Sequence, residues 1–355
     1  MSRAARSLEE PQPVSRNPVR LAGAALALVL AITATACGGS TPTAAPTTAP
    51  ATDAPATPLT VGLGYIPNVQ FAQFYLADQA GYYADAGLDV TLQNKIDPDL
   101  ITLLGQGAVD IGSGDGTSVI PAVSQGIPVV YTSTIYGTFP AVVIAKAGSG
   151  IATAADLRGK RIGIPGRYGT NWIMLQALLK EAGLTVDDVT IAEFPDFSQA
   201  AALQQGQVDA ATGFANNEPI QLRNAGIEPV VLTVDDAVPL PGPGLVTGTK
   251  TLESKAAALK AFTAATLRAM DEITADPQKG LDATFTAVPD LAKDPALQRQ
   301  ILDATIATWT NKRTGAALGS IDRDGWQQSL DFMKGMGLVP NPVTVDQLVN
   351  ESLLP

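Results

Sequence analysis

The sequence predicts an α/β protein of two similar lobes followed by a helical C-terminal third. Three observations predict it. Short apolar strands alternate with helical stretches of roughly 10 to 15 residues, the pattern of parallel sheets covered by helices. An internal repeat links the two halves. Leu104-Gly105-Gln106-Gly107-Ala108-Val109-Asp110 returns 99 residues later as Leu203-Gln204-Gln205-Gly206-Gln207-Val208-Asp209, and Gly126-Ile127-Pro128-Val129-Val130 returns as Gly226-Ile227-Glu228-Pro229-Val230-Val231. A period this long is a duplicated domain rather than a solenoid. After Leu252 the texture becomes Ala-rich, with Leu259, Phe262, Thr266, Met270 and Ile273 at helical spacing until Pro277.

The chain opens on an apolar run, Leu21–Ala36, with Arg16 and Arg20 before it and Ala34-Thr35-Ala36 at its end. Sixteen residues fall short of the roughly 20 that a spanning helix needs. Charged flank, short apolar run and small residues read as a signal peptide over 1–36. Cys37, the only cysteine, follows directly, and then comes a stretch dominated by Gly, Ser, Thr, Ala and Pro. That order predicts lipid attachment at Cys37 and a tether over 37–58, although Ala34 stands where such signals usually carry Leu. The first lobe begins with a strand at Leu59–Leu63, then a loop, a helix, the turn Ala86-Gly87-Leu88 and a second strand. The second copy runs the same way from Arg161–Ile164 to Ala182-Gly183-Leu184. Helices are expected at Ser254–Asp276, Pro295–Thr310 and Asp324–Met336.

Composition removes several function classes. Loss of four arginines and two glutamates with the signal would take the net charge from −11 to −13. So acidic a chain lacks the basic patch that nucleic-acid binding requires. The chain has no histidine, which removes imidazole as general base and as metal ligand. A single cysteine allows no disulfide framework, so the core alone must hold the fold.

In open α/β sheets, ligands bind beyond the carboxyl ends of the strands. Five loops of that kind are legible: Tyr65–Phe71, Gly112–Thr117, Thr134–Gly137, Pro165–Trp172 and Gly213–Pro219. Of the 19 aromatic residues, eight lie in or just after these loops, where ring faces supply stacking area for a flat ligand. The residues expected to bind it are Tyr65, Asn68, Gln70, Phe71, Asp115, Tyr136, Arg167, Tyr168, Asn171, Trp172, Phe214, Asn216, Asn217 and Glu218. Phe74 and Tyr75 read equally well as core. Gly112–Thr117 and Gly169–Asn171 each open a helix whose free N–H groups suit a carboxylate, sulfonate or carbonyl oxygen. Neither is a phosphate loop, because no Gly-Lys-Ser/Thr follows. Arg167 is the only cation among these loops, so a flat heterocycle is favoured over a small anion.

A family resemblance covers about Leu59 to Leu338. Leu157-Arg158-Gly159-Lys160-Arg161-Ile162-Gly163-Ile164-Pro165 resembles the entry strand of the second lobe in bacterial periplasmic-type substrate-binding proteins. Gly81–Val90, Gly64-Tyr65-Ile66-Pro67-Asn68 and Gly107–Gly112 look like the branch that binds alkanesulfonates, nitrate and thiamine-pyrimidine precursors. The Tyr65–Ala72 and Asn216–Pro219 strings look nearest to its riboflavin- and pyrimidine-binding members. The resemblance implies a type II periplasmic-binding-protein fold with two hinge crossovers. The first lobe is expected over 59–141, a hinge over 142–145, the second lobe over 146–244 and a hinge over 245–249. Residues 250–355 return to the first lobe. It also implies a monomeric lipoprotein without cofactor on the outer face of the cytoplasmic membrane, serving an ABC permease and its ATPase. Riboflavin is favoured as ligand, then a thiamine-pyrimidine precursor, then a small alkanesulfonate or nitrate. A pyrimidine synthase-like enzyme is the rival, but its chemistry uses an active-site histidine and a cysteine-rich motif that this chain lacks. A lipid-anchored sensor without a transporter is a third reading.

Overall fold

The computed structural model describes residues 55–95, 99–234, 240–311 and 313–355. The signal, Cys37 and nearly all of the tether lie outside these residues. In chain order the strands are β1 (Thr57–Leu63), β2 (Leu88–Asn94), β3 (Ile111–Asp115), β4 (Val129–Thr134), β5 (Ala141–Lys146), β6 (Arg161–Ile164), β7 (Thr190–Glu193), β8 (Ala210–Phe214), β9 (Pro229–Thr233) and β10 (Pro243–Gly248). They form two five-stranded sheets of matching topology, β2-β1-β3-β10-β4 and β7-β6-β8-β5-β9. In the first, β1 runs parallel to β2 and β3, and β10 lies antiparallel between β3 and β4. In the second, β6 is parallel to β7 and β8, and β5 is antiparallel between β8 and β9.

The sequence repeat has a physical counterpart. Asp110 Oδ2 accepts the Thr60 N–H at 2.9 Å, and the Asp110 N–H donates to the Thr60 carbonyl. Asp209 does the same with Arg161, its Oδ2 accepting at 2.8 Å. Each aspartate therefore clips β1 or β6 to the strand that follows it. Gly107 and Gly206, three residues earlier, sit at φ 73° and 74°, the left-handed turn that ends a helix at low steric cost to glycine alone.

Two expected boundaries move. Thr57 and Pro58, read as tether, already belong to β1, where the Thr57 N–H donates to Gly87. The segments expected as hinges are strands: 142–145 is the buried centre of β5, and 245–249 is the end of β10 and the first residue of the helix Thr249–Ala275. A fully buried central strand is a continuous apolar run, so Val142–Ala145 gives no sign of being paired on both edges. The chain passes between the sheets earlier, across Ile135–Pro140 and again between Thr233 and Pro243. Each sheet thus receives one antiparallel strand immediately after a crossover.

The C-terminal helices pack as expected. Thr249–Ala275, Pro277–Ala287 and Pro295–Trp309 cover one face of the first sheet together with the helix Ala72–Gln79. Phe74 and Tyr75 take the core reading: Phe74 stacks on Phe262 with ring centroids 6.2 Å apart. The helix Arg323–Gly335 and the last residues cover the opposite face through Trp326, Leu330 and Met333. Contacts between the lobes include Lys180 Nζ to the Gly335 carbonyl at 2.9 Å and Asn224 Nδ2 to Gln300 Oε1 at 3.1 Å.

Candidate functional site

A cleft opens where the parallel strands end, with about 840 Å³ of empty space including its open mouth. Gly64, Tyr65, Gln70 and Phe71 follow β1, Ser113 and Asp115 end β3, Pro165 and Tyr168 to Asn171 follow β6, and Phe197 and Gln199 follow β7. Phe214, Asn217 and Glu218 end or follow β8, while Tyr136 comes from the first crossover and Pro243 opens β10 directly after the second. Both lobes contribute, with residues in or directly after the two passages between them.

Six rings line the cleft: Tyr65, Phe71, Tyr136, Tyr168, Phe197 and Phe214. Tyr65 and Phe197 meet across the lobes edge to face, centroids 4.7 Å apart. Phe197 holds this position at φ 60°, the one positive φ at a non-glycine residue among those described. A left-handed conformation at a bulky residue costs of order 1–2 kcal/mol. Asp196 fixes the turn, accepting from both the N–H and the hydroxyl of Ser198. The loop beneath Tyr168 requires glycine: a Cβ on Gly166 would lie 2.3 Å from the tyrosine ring. Tyr136 is tied at its hydroxyl, donating to Gln70 Oε1 at 3.2 Å and accepting from Asn216 Nδ2 at 3.4 Å.

The cleft is acidic. Among the described residues no Lys or Arg lines it, while Asp115 and Glu218 do. Glu218 Oε2 accepts the Phe214 N–H at 2.7 Å. Burial pushes its carboxyl up to about 7, against the lowering effect of backbone N–H donors. Burial also raises the Asp115 carboxyl, opposed by hydrogen bonds from the hydroxyl and N–H of Thr170. Thr170 stands in the first turn of the helix Gly169–Glu181, and its hydroxyl is 2.6 Å from that of Thr117 in the other lobe. The helix N-terminus expected to take a ligand's negative group therefore already meets the first lobe's turn after Asp115. Three amides lining the cleft, Gln73, Asn171 and Gln199, carry buried side-chain oxygens without a hydrogen-bond partner. Native proteins rarely leave such acceptors unpaired, and a ligand's N–H or O–H groups are the partners that a binding cleft supplies.

Of the residues expected from sequence, the cleft collects Tyr65, Gln70, Phe71, Asp115, Tyr136, Tyr168, Asn171, Phe214, Asn217 and Glu218. Four stand outside its lining. Asn68 caps the turn Val69–Phe71, accepting the Gln70 N–H. Asn216 is buried behind Tyr136 and donates to Thr305 at 2.9 Å. Arg167 pairs with Glu193 at 3.2 Å and lies 5.4 Å from the ring centroid of Trp172, which itself packs on the second lobe's core. Gln73, Phe197 and Gln199 escaped the sequence reading. Phe194-Pro195-Asp196-Phe197-Ser198 after β7 is a sixth strand-to-helix loop with proline and two rings, and its composition carried the signal.

Comparison with known proteins agrees with this architecture. The model of the family described as NMT1/THI5 like matches residues 68–280. The riboflavin-binding protein RibY of Chloroflexus aurantiacus is 35% identical over 93% of this chain and 97% of its own length. A formylaminopyrimidine-binding protein of Halalkalibacterium halodurans is 25% identical over 81% of this chain and 87% of its own. Among solved structures, the alkanesulfonate-binding protein SsuA of Xanthomonas axonopodis pv. citri, bound to MOPS, superposes with a TM-score of 0.67 at 19% identity. That match covers 84% of this chain and 99% of SsuA, and it identifies a shared fold. With two mixed sheets of one topology, a cleft between them and a family match over more than half of the chain, this protein belongs to the NMT1/THI5-like family.

Proposed function

We propose that this chain is the solute-binding protein of an ABC importer and captures riboflavin, held outside the cytoplasmic membrane by lipid on Cys37. The observation that carries the reading is the cleft wall: six aromatic rings and two carboxylates, with no Lys or Arg among the described lining residues. A flat ring system gains stacking from such rings, at about 0.5–1.5 kcal/mol per aromatic pair beyond burial. Its N–H and hydroxyl groups meet Asp115, Glu218 and the amide oxygens. The full-length similarity to a protein named as riboflavin-binding supports the same ligand. Lobes that close about Ile135–Pro140 and the return passage would then present one surface to a permease. The protein acts as a monomer in this reading.

An aminopyrimidine precursor of thiamine is the second reading, favoured by the relative named for formylaminopyrimidine. A sulfonate or nitrate fits poorly, because the site offers it two carboxylates and no cation. A synthase role, the name carried by a 24% identical relative from Legionella pneumophila, lacks the histidine that the resemblance calls for. The test is a titration of residues 54–355 with riboflavin, followed by flavin fluorescence, beside calorimetry with hydroxymethyl- and formylaminopyrimidine. Submicromolar quenching supports flavin uptake. Heat with a pyrimidine and silence with riboflavin replaces it by the second reading.

A further inference from the structure

We infer that the cleft admits its ligand only in the uncharged, phosphate-free form, and that Asp115 and Glu218 are the residues that reject the phosphate ester. The inference rests on the reading of the ligand as a flat, donor-rich vitamin and adds which form of it is carried.

Three features carry it. The first is the balance of groups: the cleft offers two carboxylates and, among the described residues, no Lys or Arg. The one cation of the adjacent loops, Arg167, is engaged by Glu193 and lies against Trp172, outside the lining. The second is occupancy of the natural anion position. The start of the 13-residue helix Gly169–Glu181 is where a phosphate would find N–H donors and a favourable dipole. Thr170 there is already engaged by the opposite lobe, its hydroxyl 2.6 Å from that of Thr117, two residues after Asp115. A phosphate there would lie beside the Asp115 carboxylate. The third is the surplus of acceptors. Gln199 Nε2 donates to the Thr212 carbonyl at 3.2 Å, which fixes the amide and leaves Oε1 as the unpaired atom. Gln73 Oε1 and Asn171 Oδ1 are likewise unpaired. Riboflavin brings an imide N–H and a chain of hydroxyls, all of them donors to such atoms. Its 5′-phosphate replaces the terminal donor by acceptor oxygens bearing charge.

Charges of one sign within roughly 8 Å in a water-poor cleft, at an effective dielectric constant of about 20, weaken binding by on the order of 100-fold. The inference also assigns a position in a sequence of reactions. Phosphorylated vitamin outside the cell must first meet a phosphomonoester hydrolysis. In that step water adds to phosphorus, the ester P–O bond breaks, the ligand's oxygen takes a proton and inorganic phosphate leaves.

The experiment uses residues 54–355 at pH 8, with dissociation constants for riboflavin, riboflavin 5′-phosphate and lumiflavin from fluorescence quenching. The alcohol and monophosphate forms of hydroxymethylaminopyrimidine are measured by calorimetry. Expected are 5′-phosphate binding on the order of 100-fold weaker than riboflavin and lumiflavin binding at least about tenfold weaker, since it has the ring without the hydroxyls. In Asp115→Asn/Glu218→Gln, which keeps acceptor oxygens at both positions, the riboflavin-to-phosphate ratio should shrink at least about tenfold. Reading a ratio cancels any general weakening, and Glu218→Gln alone serves if the double variant does not fold. Equal affinities for alcohol and ester in the wild-type protein overturn the inference, as does a ratio unmoved by the variants, which would assign the rejection to size. If no flavin binds but a pyrimidine does, the ligand reading fails while the pyrimidine pair still tests the phosphate rule. Silence with every probe overturns both.

Discussion

The two lobes share one topology and meet at one cleft, yet they bring different chemistry to it. β3 and β8 are counterparts, each clipped to its parallel neighbour, β1 or β6, by the repeated aspartate, Asp110 or Asp209. Fifth in each strand comes a residue on the cleft wall: Asp115 in the first lobe, Phe214 in the second. The framework residues kept their role through the duplication, and the residues at the strand ends diverged. The two lobes meet at the rim, where the Thr117 hydroxyl, two residues after Asp115, lies 2.6 Å from that of Thr170 in the second lobe's helix. Duplication supplied a repeated scaffold, and loss of symmetry at its rim made a site.

The largest expected effect sets the second lobe's buried acid against the rest of the cleft. The folded protein keeps Glu218 protonated up to about pH 7, whereas an unfolded glutamate ionises near 4.5. Between those values the native state holds the extra proton, so stability falls as pH rises, by roughly 3 kcal/mol once pH exceeds 7. Glu218→Gln should therefore melt above wild type at pH 8 and no higher at pH 5. Identical melting differences at both pH values would remove the buried acid from the account.

Next come the rings that each lobe offers. Tyr65→Ala in the first lobe and Phe197→Ala or Tyr168→Ala in the second should each weaken flavin binding by about 1–3 kcal/mol, seen as a shifted quenching curve. A loss confined to one lobe's variants would mean that the ligand sits on one wall rather than between two.

The clip aspartates sharpen the comparison of scaffolds. Asp209→Ala should cost about 1–2 kcal/mol of unfolding free energy by urea titration. Asp110→Ala should cost more, because Asp110 also pairs with Lys255 of the helix Thr249–Ala275 at 2.8 Å, and among the described residues Asp209 has no such ion pair. Equal losses would show that the extra pair contributes nothing.

The smallest effect belongs to the residues turned away from the cleft. Arg167→Ala and Trp172→Ala should leave flavin affinity within about threefold of wild type, since an exposed ion pair and an adjoining ring lie outside the lining.

These contrasts explain what was legible in the sequence. Repeats at a fixed offset, glycines at helix ends and alternating elements are local, so the lobes and the helical C-terminal third could be read directly. The crossovers could not. Val142–Ala145 is apolar because it is a central strand, and pairing partners 65 or more residues downstream leave no mark on it. The loops were legible, but not which side chains turn inward. Asn171 and Trp172 are neighbours on one helix, and a step of about 100° sends the first to the cleft and the second to the core. Phe197 was missed because its loop follows a short strand, and its left-handed backbone is a property of the turn, not of the residue type.

In the proposed function the ligand is held between two lobes rather than on either one. Without Cys37 the chain is free of cysteine, so residues 54–355 carrying Asp89→Cys and Asp187→Cys take one spin label on each lobe at exposed positions. Pulsed dipolar measurements with and without riboflavin read the distance between the lobes. The expected distribution shortens and narrows as riboflavin saturates the fluorescence signal. A distribution unchanged by saturating, bound riboflavin would contradict it.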